Sequence, residues 1–174
     1  MVSRRVAAAR PALNLKYGDD MDRIKNIAVV AHDNCKEELL DFLDCNREAL
    51  APHSLVATGT TGRLVEDLLA EGEGADAEHK RVLRLKSGPL GGDQQLGAMI
   101  SKGEVDVLFF FWDPMEPQPH DVDVKALLRL AVLYNIPTAS NRSSAEFLIS
   151  STFFDHEFCI KPGRYFEYAD RELK

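Results

Sequence analysis

Residues 105–131 read VDVLFFFWDPMEPQPHDVDVKALLRLA, and the change of period along this stretch decides the fold. Val105 to Trp112 is a short apolar run, aromatic and β-branched, with one charge at Asp106, which suits a buried strand. A Pro-rich polar loop follows. Val124, Leu127, Leu128 and Ala131 then recur at helical spacing, before the stop signal Asn135-Ile136-Pro137. The same alternation appears elsewhere: Ile27–Ala31, Leu55–Thr58, Val82–Leu85 and a weaker Thr138–Ala139 are the other strand candidates, with amphipathic stretches between them. Five strands separated by helices predict an α/β fold, a doubly wound three-layer sandwich with a five-stranded parallel sheet. Asn34 with Glu37, and Ser143 with Glu146, match the reciprocal capping pattern at helix starts.

With 174 residues, 45% of them hydrophobic, the chain can bury one sizeable core. Residues 1–24 have no sustained periodicity and read as a flexible N-terminal extension, leaving 25–174 as a single domain. A net charge of -7 argues against a nucleic-acid binder, because phosphate backbones are held by clustered Lys and Arg. No run approaches the roughly 20 apolar residues of a membrane span. The basic start, Met1 to Arg10, lacks the apolar centre of a secretory signal. Cys35, Cys45 and Cys159 form no paired framework, and the first two fall too far apart along one predicted helix to bridge, so free thiols and a cytoplasmic location are expected. Glu71 to Asp76 reads as a solvated loop.

In an open parallel sheet, ligands sit beyond the carboxyl ends of the strands. The polar clusters lie there: VAHDNCK (30–36), ATGTTG (57–62), SGPLGGDQQ (87–95) and WDPMEPQPHDVD (112–123). Thr58, Gly59, Thr60 and Thr61 offer hydroxyls and backbone N–H groups at a helix entrance, either a cradle for phosphate or an ordinary Gly/Thr-rich turn. Ser87 and Gly88 add a second such loop, Lys36 a point charge, and together the loops favour phosphate. Asp93 follows two glycines that permit unusual backbone and close substrate approach; it is either a general base or a helix cap. His120, between Pro119 and Asp121, suits a residue held in a loop, with Asp123 or Asp121 able to fix its tautomer and Asp113 a further acid candidate. His32 is ambiguous alone, but shares the rim. His53, His79 and His156 have no patterned neighbours and default to surface or loop roles.

His32 and Cys35 have H-x-x-C spacing, yet no second pair completes a zinc set, so no metal is expected. GxxxxGK[ST], GxSxG, HExxH and GxGxxG are absent, which disfavours nucleoside triphosphatase, serine hydrolase, zincin and dinucleotide readings.

The four blocks VAHDNCK, ATGTTG, SGPLGGDQQLGA (87–98) and FFWDPMEPQPHDVDVKALLRLA (110–131), in this order, closely resemble those of the methylglyoxal synthase family, and the likeness covers nearly all of residues 25 to 150. The resemblance implies a five-stranded parallel sheet shared with the regulatory domain of carbamoyl phosphate synthetase. It also implies conversion of dihydroxyacetone phosphate to methylglyoxal and inorganic phosphate, no cofactor, phosphate as product and inhibitor, and a homohexamer. By motif, Asp93 falls on the catalytic carboxylate and His120 on the histidine at the substrate oxygens. His32, Lys36, Thr58, Gly59, Thr60, Thr61, Ser87 and Gly88 fall on the phosphate cradle, and Asp113 and Asp123 on supporting carboxylates. Arg129 and Arg171 fall near arginines of subunit contacts or phosphate control. The segment 71–81 is longer than the family pattern. Two rivals remain: a non-catalytic anion-binding module of the same fold, which would not require Asp93 and His120 together, and an isomerase of the same triose phosphate.

Overall fold

The computed structural model describes residues 20–21, 24–70, 82–117 and 119–159. Strands β1 (Asp20–Met21), β2 (Asn26–Ala31), β3 (Ser54–Thr58), β4 (Leu83–Leu85), β5 (Val107–Phe111), β6 (Thr138–Ala139) and β7 (Phe158–Cys159) occur in chain order. Among them stand helices α1 (Lys36–Cys45), α2 (Arg47–Leu50), α3 (Gly59–Ala70), α4 (Gly92–Ser101), α5 (Asp121–Leu133) and α6 (Arg142–Ile149). The main sheet has the order β4-β3-β2-β5-β6, with every neighbouring pair parallel. Each predicted strand is present within two residues of its expected bounds. β1 and β7 form a separate antiparallel pair, so Asp20–Met21, read as extension, meets the Phe158–Cys159 segment.

Alternation along the two central strands divides the core. Ile27, Val29 and Ala31 with Val107, Phe109 and Phe111 face α1, α3 and α6, where Leu39, Phe42, Val65 and Ala145 receive them. Ala28, Val30, Leu108 and Phe110 point the other way, onto Leu96 and Ile100 of α4 and Val124, Leu127 and Ala131 of α5. Both faces are therefore covered, as a parallel sheet requires. Phe109, Phe110 and Phe111 are each at most 1% exposed, and burial of each stabilises the sheet by about 1.5–3 kcal/mol.

Local rules failed at several helix starts. Asn34 caps nothing, since α1 begins at Lys36 after a 3-10 turn over Asp33–Cys35 and has no side-chain cap. For α6 the cap is Asn141, whose side chain accepts from the Ser144 N–H at 2.9 Å, and Ser143 lies inside the helix. At α6 an Asx residue two positions upstream of the apparent motif took the role, because the cap is set by where the chain leaves the extended conformation. Asp106 falls outside β5; its carboxylate accepts from the Asn26 N–H at 2.7 Å and ties the start of β2. His53 is buried rather than on the surface: Nδ1 accepts from the Lys25 N–H, and the ring stands edge-on to Phe154. Cys35 and Cys45 are free thiols. His79, Arg171 and the 71–81 segment lie outside the described residues, as do residues 1–19 of the expected extension.

The two glycines before Asp93 serve the chain itself. Gly91 has φ +98°, a left-handed conformation that turns the Gly88–Leu90 3-10 segment into α4. A Cβ at Gly92 would stand 2.0 Å from the Lys86 carbonyl oxygen, so its missing side chain admits backbone rather than substrate. Gly92→Ala is expected to cost stability by overpacking, about 1–3 kcal/mol or more, seen as a lowered Tm; an unchanged Tm would contradict this packing.

Candidate active site

β2 and β5 are neighbours, while the chain leaves β2 for β3 on one side and reaches β5 by crossing back from β4. Their carboxyl ends form the topological switch point of the sheet, where the loops diverge and leave a crevice. A cavity of about 110 Å³ opens there, below the roughly 300–1,000 Å³ of drug-sized pockets and so suited to a small polar ligand. Its walls hold His32, Lys36, Thr58, Gly59, Thr60, Thr61, Ser87, Gly88, Asp93 and His120. Ten of the twelve expected site residues are thus brought together from four loops.

The anion-suited wall is built by β2, β3 and β4 running into their helices. Lys36 is the first residue of α1, and its Nζ donates to Thr60 Oγ1 and Asp33 Oδ1, both at 2.5 Å. Donation from Lys36 holds the Asp33 carboxyl below its ordinary range, so the ammonium remains beside a carboxylate. Gly59 has φ +37°, donates its N–H to the Lys86 carbonyl, and a Cβ there would lie 2.6 Å from Ser87 Cα. That contact seats the Thr58–Thr61 turn directly against Ser87. Thr58 and Thr61 are buried.

The same cavity is lined by Asp93 and His120. Asp93 is the second residue of α4, 5% exposed, and makes no cap hydrogen bond. The cap alternative is therefore set aside. Its Oδ2 lies 3.7 Å from His120 Nε2 and has no hydrogen-bond partner among the described residues. Burial pushes the Asp93 carboxyl above its ordinary value; His120 and His32 pull it back, and the Asp123 charge pushes it further up. Desolvation wins although the site stands at a helix N-terminus. His120 Nδ1 and His32 Nε2 are likewise buried without partners. Buried polar atoms are normally paired, so three orphans around one cavity mark it as a ligand site.

Neither Asp121 nor Asp123 binds the His120 ring as expected. Both lie in the first turn of α5, and the rotation of about 100° per residue carries them off the imidazole. Asp123 and Asp113 are also outside the main cavity. Asp123 lines a neighbouring hollow between α4 and α5 that Asp93 shares, and Asp113 sits behind His32, its N–H on His32 Nδ1 at 3.3 Å. Sequence reasoning passed over Asp33 and Phe110, which line the cavity; the available signal for Asp33 was its place inside the VAHDNCK block. Among the described residues no three His, Cys, Asp or Glu side chains are grouped to hold a metal, and no helix is long and apolar enough to cross a membrane.

The family model described as the MGS-like domain matches residues 38–140, more than half of the chain, from α1 to the end of the five-stranded sheet. A protein of Maridesulfovibrio salexigens named methylglyoxal synthase is 69% identical over 88% of this chain and 100% of its own length. One of the same name from Proteus mirabilis is 52% identical over 86% of this chain and 93% of its own. The crystal structure of methylglyoxal synthase from Elizabethkingia anophelis NUHP1 is similar at TM-score 0.78 and 43% identity, covering 90% of this chain and 97% of that one. The chain belongs to the methylglyoxal synthase family.

Proposed function

We propose that the protein converts dihydroxyacetone phosphate to methylglyoxal and inorganic phosphate, a carbon–oxygen lyase reaction that its own side chains carry. The observation that supports it most is the buried Asp93 carboxylate, its Oδ2 without a hydrogen-bond partner among the described residues and 3.7 Å from His120 Nε2, in the small cavity that Lys36 and Thr58–Thr61 also line. Lys36, the threonine hydroxyls, Ser87 and the backbone at Gly59 and Gly88 hold the phosphate, with His32 beside them. Asp93 takes a proton from the carbon α to the carbonyl, and the C–H electron pair forms the enediolate. His120 stabilises the charge gathering on the oxygen, close enough to the base to share one substrate. As the hydroxyl on the deprotonated carbon gives its proton to the leaving phosphate and becomes the aldehyde, the enediolate electrons expel that phosphate from the other α-carbon, breaking the C–O bond, and the resulting enolate takes a proton on carbon to become methylglyoxal. Asp123 acts at a distance by keeping the Asp93 carboxyl raised, and Asp113 through His32.

A base whose carboxyl is lifted toward working pH is a stronger proton acceptor once ionised, which favours chemistry over a purely regulatory anion site. An isomerase would release no phosphate. Cytoplasmic location, homohexameric assembly, inhibition by inorganic phosphate and a single catalytic domain over 25–174 belong to the same reading. Purified protein supplied with dihydroxyacetone phosphate is expected to release methylglyoxal and inorganic phosphate in equal amounts, without added metal or cofactor. Glyceraldehyde phosphate as the product would make it an isomerase; saturable phosphate binding with no turnover would make it a regulatory module.

A further inference from the structure

The segment carrying Asp113 stays outside the cavity, yet it is fastened to a residue that lines it. Asn34 lies in the 3-10 turn after β2, and its Nδ2 donates to Asp113 Oδ2 and to Glu116 Oε2, each at 2.9 Å. An amide nitrogen has two hydrogens, so both are used. A neutral donor placed between two carboxylates offsets their mutual repulsion and holds them at one spot. The Asp113 carboxyl is kept below its ordinary range, first by Asn34 and then by the Met115 N–H.

From that fixed position the Asp113 backbone reaches the site. Its N–H donates to His32 Nδ1 at 3.3 Å. An imidazole nitrogen that accepts from a backbone N–H carries no proton, so the neutral ring must carry it on Nε2. Nε2 is the atom left without a partner among the described residues, on a ring set edge-on to Phe110 at 5.4 Å and 6.2 Å from the ring of His120.

We propose that Asn34 is a positioning residue: by clamping Asp113 and Glu116 it keeps the Asp113 N–H on His32 and makes His32 a neutral Nε2–H donor to the bound ligand. The inference deepens the lyase reading and rests on it for the identity of that ligand, but the tautomer is a property of the ligand-free protein. Sequence offers no hint of the clamp, because its parts are separated by 79 and 82 residues.

Ring-15N-labelled histidine, with His32→Gln to assign the signal, reads the tautomer directly by NMR. The wild type is expected to show His32 protonated on Nε2 only. Asn34→Asp, equal in size, replaces the donor by a third carboxylate; it is expected to lose the single tautomer and to lower kcat/KM about tenfold, the worth of roughly one hydrogen bond. Adding Glu116→Gln to that variant returns an amide to the cluster and is expected to recover both readouts. Protonation of wild-type His32 on Nδ1 would overturn the proposal, as would an unaltered His32 signal in Asn34→Asp. A wild type with the Nε2–H tautomer but no turnover would uphold the clamp and sink the lyase reading alone.

Discussion

Asp93→Asn is expected to lower turnover by about 10²–10⁴-fold, the usual contribution of a positioned general base, while leaving phosphate affinity nearly unchanged. The separation follows from chemistry: Asp93 is a carboxylate, an acceptor, and is not among the Lys36, threonine and backbone donors of the cavity that would hold an anion. The same substitution is expected to raise thermal stability at neutral pH. Burial lifts the folded-state carboxyl above its ordinary value of 3.8, so ionising it opposes folding. Its contribution to stability is therefore complete below the ordinary value and is lost as pH rises through the folded-state value. The Tm advantage of Asp93→Asn should accordingly appear on the alkaline side of that window and vanish on the acid side. For the wild type, the acid limb of kcat/KM should fall above 3.8. Turnover of the variant within tenfold of the wild type would place the base elsewhere, and an acid limb at or below the ordinary value would contradict the burial argument.

Gly88→Ala is expected to reduce kcat/KM by about 10²-fold or more, as misplacement of reacting groups by about an ångström does. A Cβ at Gly88 would stand 2.9 Å from His120 Nε2 and 3.0 and 3.2 Å from the two Asp93 oxygens, filling the gap across which base and histidine share a substrate. The added carbon meets side chains there, not backbone, and Gly88 has no left-handed φ to lose, so the fold should tolerate the change. A kinetic defect with a native-like unfolding transition is the expected pair of results. Gly92→Ala supplies the contrast, since its extra carbon meets the Lys86 carbonyl and the damage falls on folding. Wild-type kcat/KM in Gly88→Ala would mean that substrate does not pass between Asp93 and His120.

These cases show what sequence can and cannot reveal. The strands were legible because burial on both faces leaves continuous apolar runs such as Val107–Phe111, and Leu96, Ile100, Val124, Leu127 and Ala131 kept strict helical spacing. The site was legible as a set because every loop beyond a strand's carboxyl end arrives at one rim. Its finer arrangement was not. The capping pattern at Asn34 was a local rule overruled by carboxylates some 80 residues away, Asp113 and Glu116. Asp93 looked equally like a cap and a base, and only its burial and the missing cap hydrogen bond speak against the cap. Asp113 and Asp123 matched by motif yet do not line the main cavity: in the loop after β5 the Asp113 carboxylate is held by Asn34, and Asp123, in the first turn of α5, faces a neighbouring hollow, neither of which spacing along the chain reveals.

The strand order β4-β3-β2-β5-β6 has a further consequence for how the protein comes to be active. No neighbouring pair in that sheet is a hairpin, so each contact between strands must first close a long stretch of chain, a slow class of folding step. Asp93 and His120 belong to different crossovers, and His32 and Thr60 to two others again. The cavity therefore needs the chain from β2 through the start of α5 to be assembled before its walls meet. Occupancy then reads back onto the entire sheet: an anion at a hundred times its Kd would stabilise the folded protein, every strand together, by about 2.7 kcal/mol.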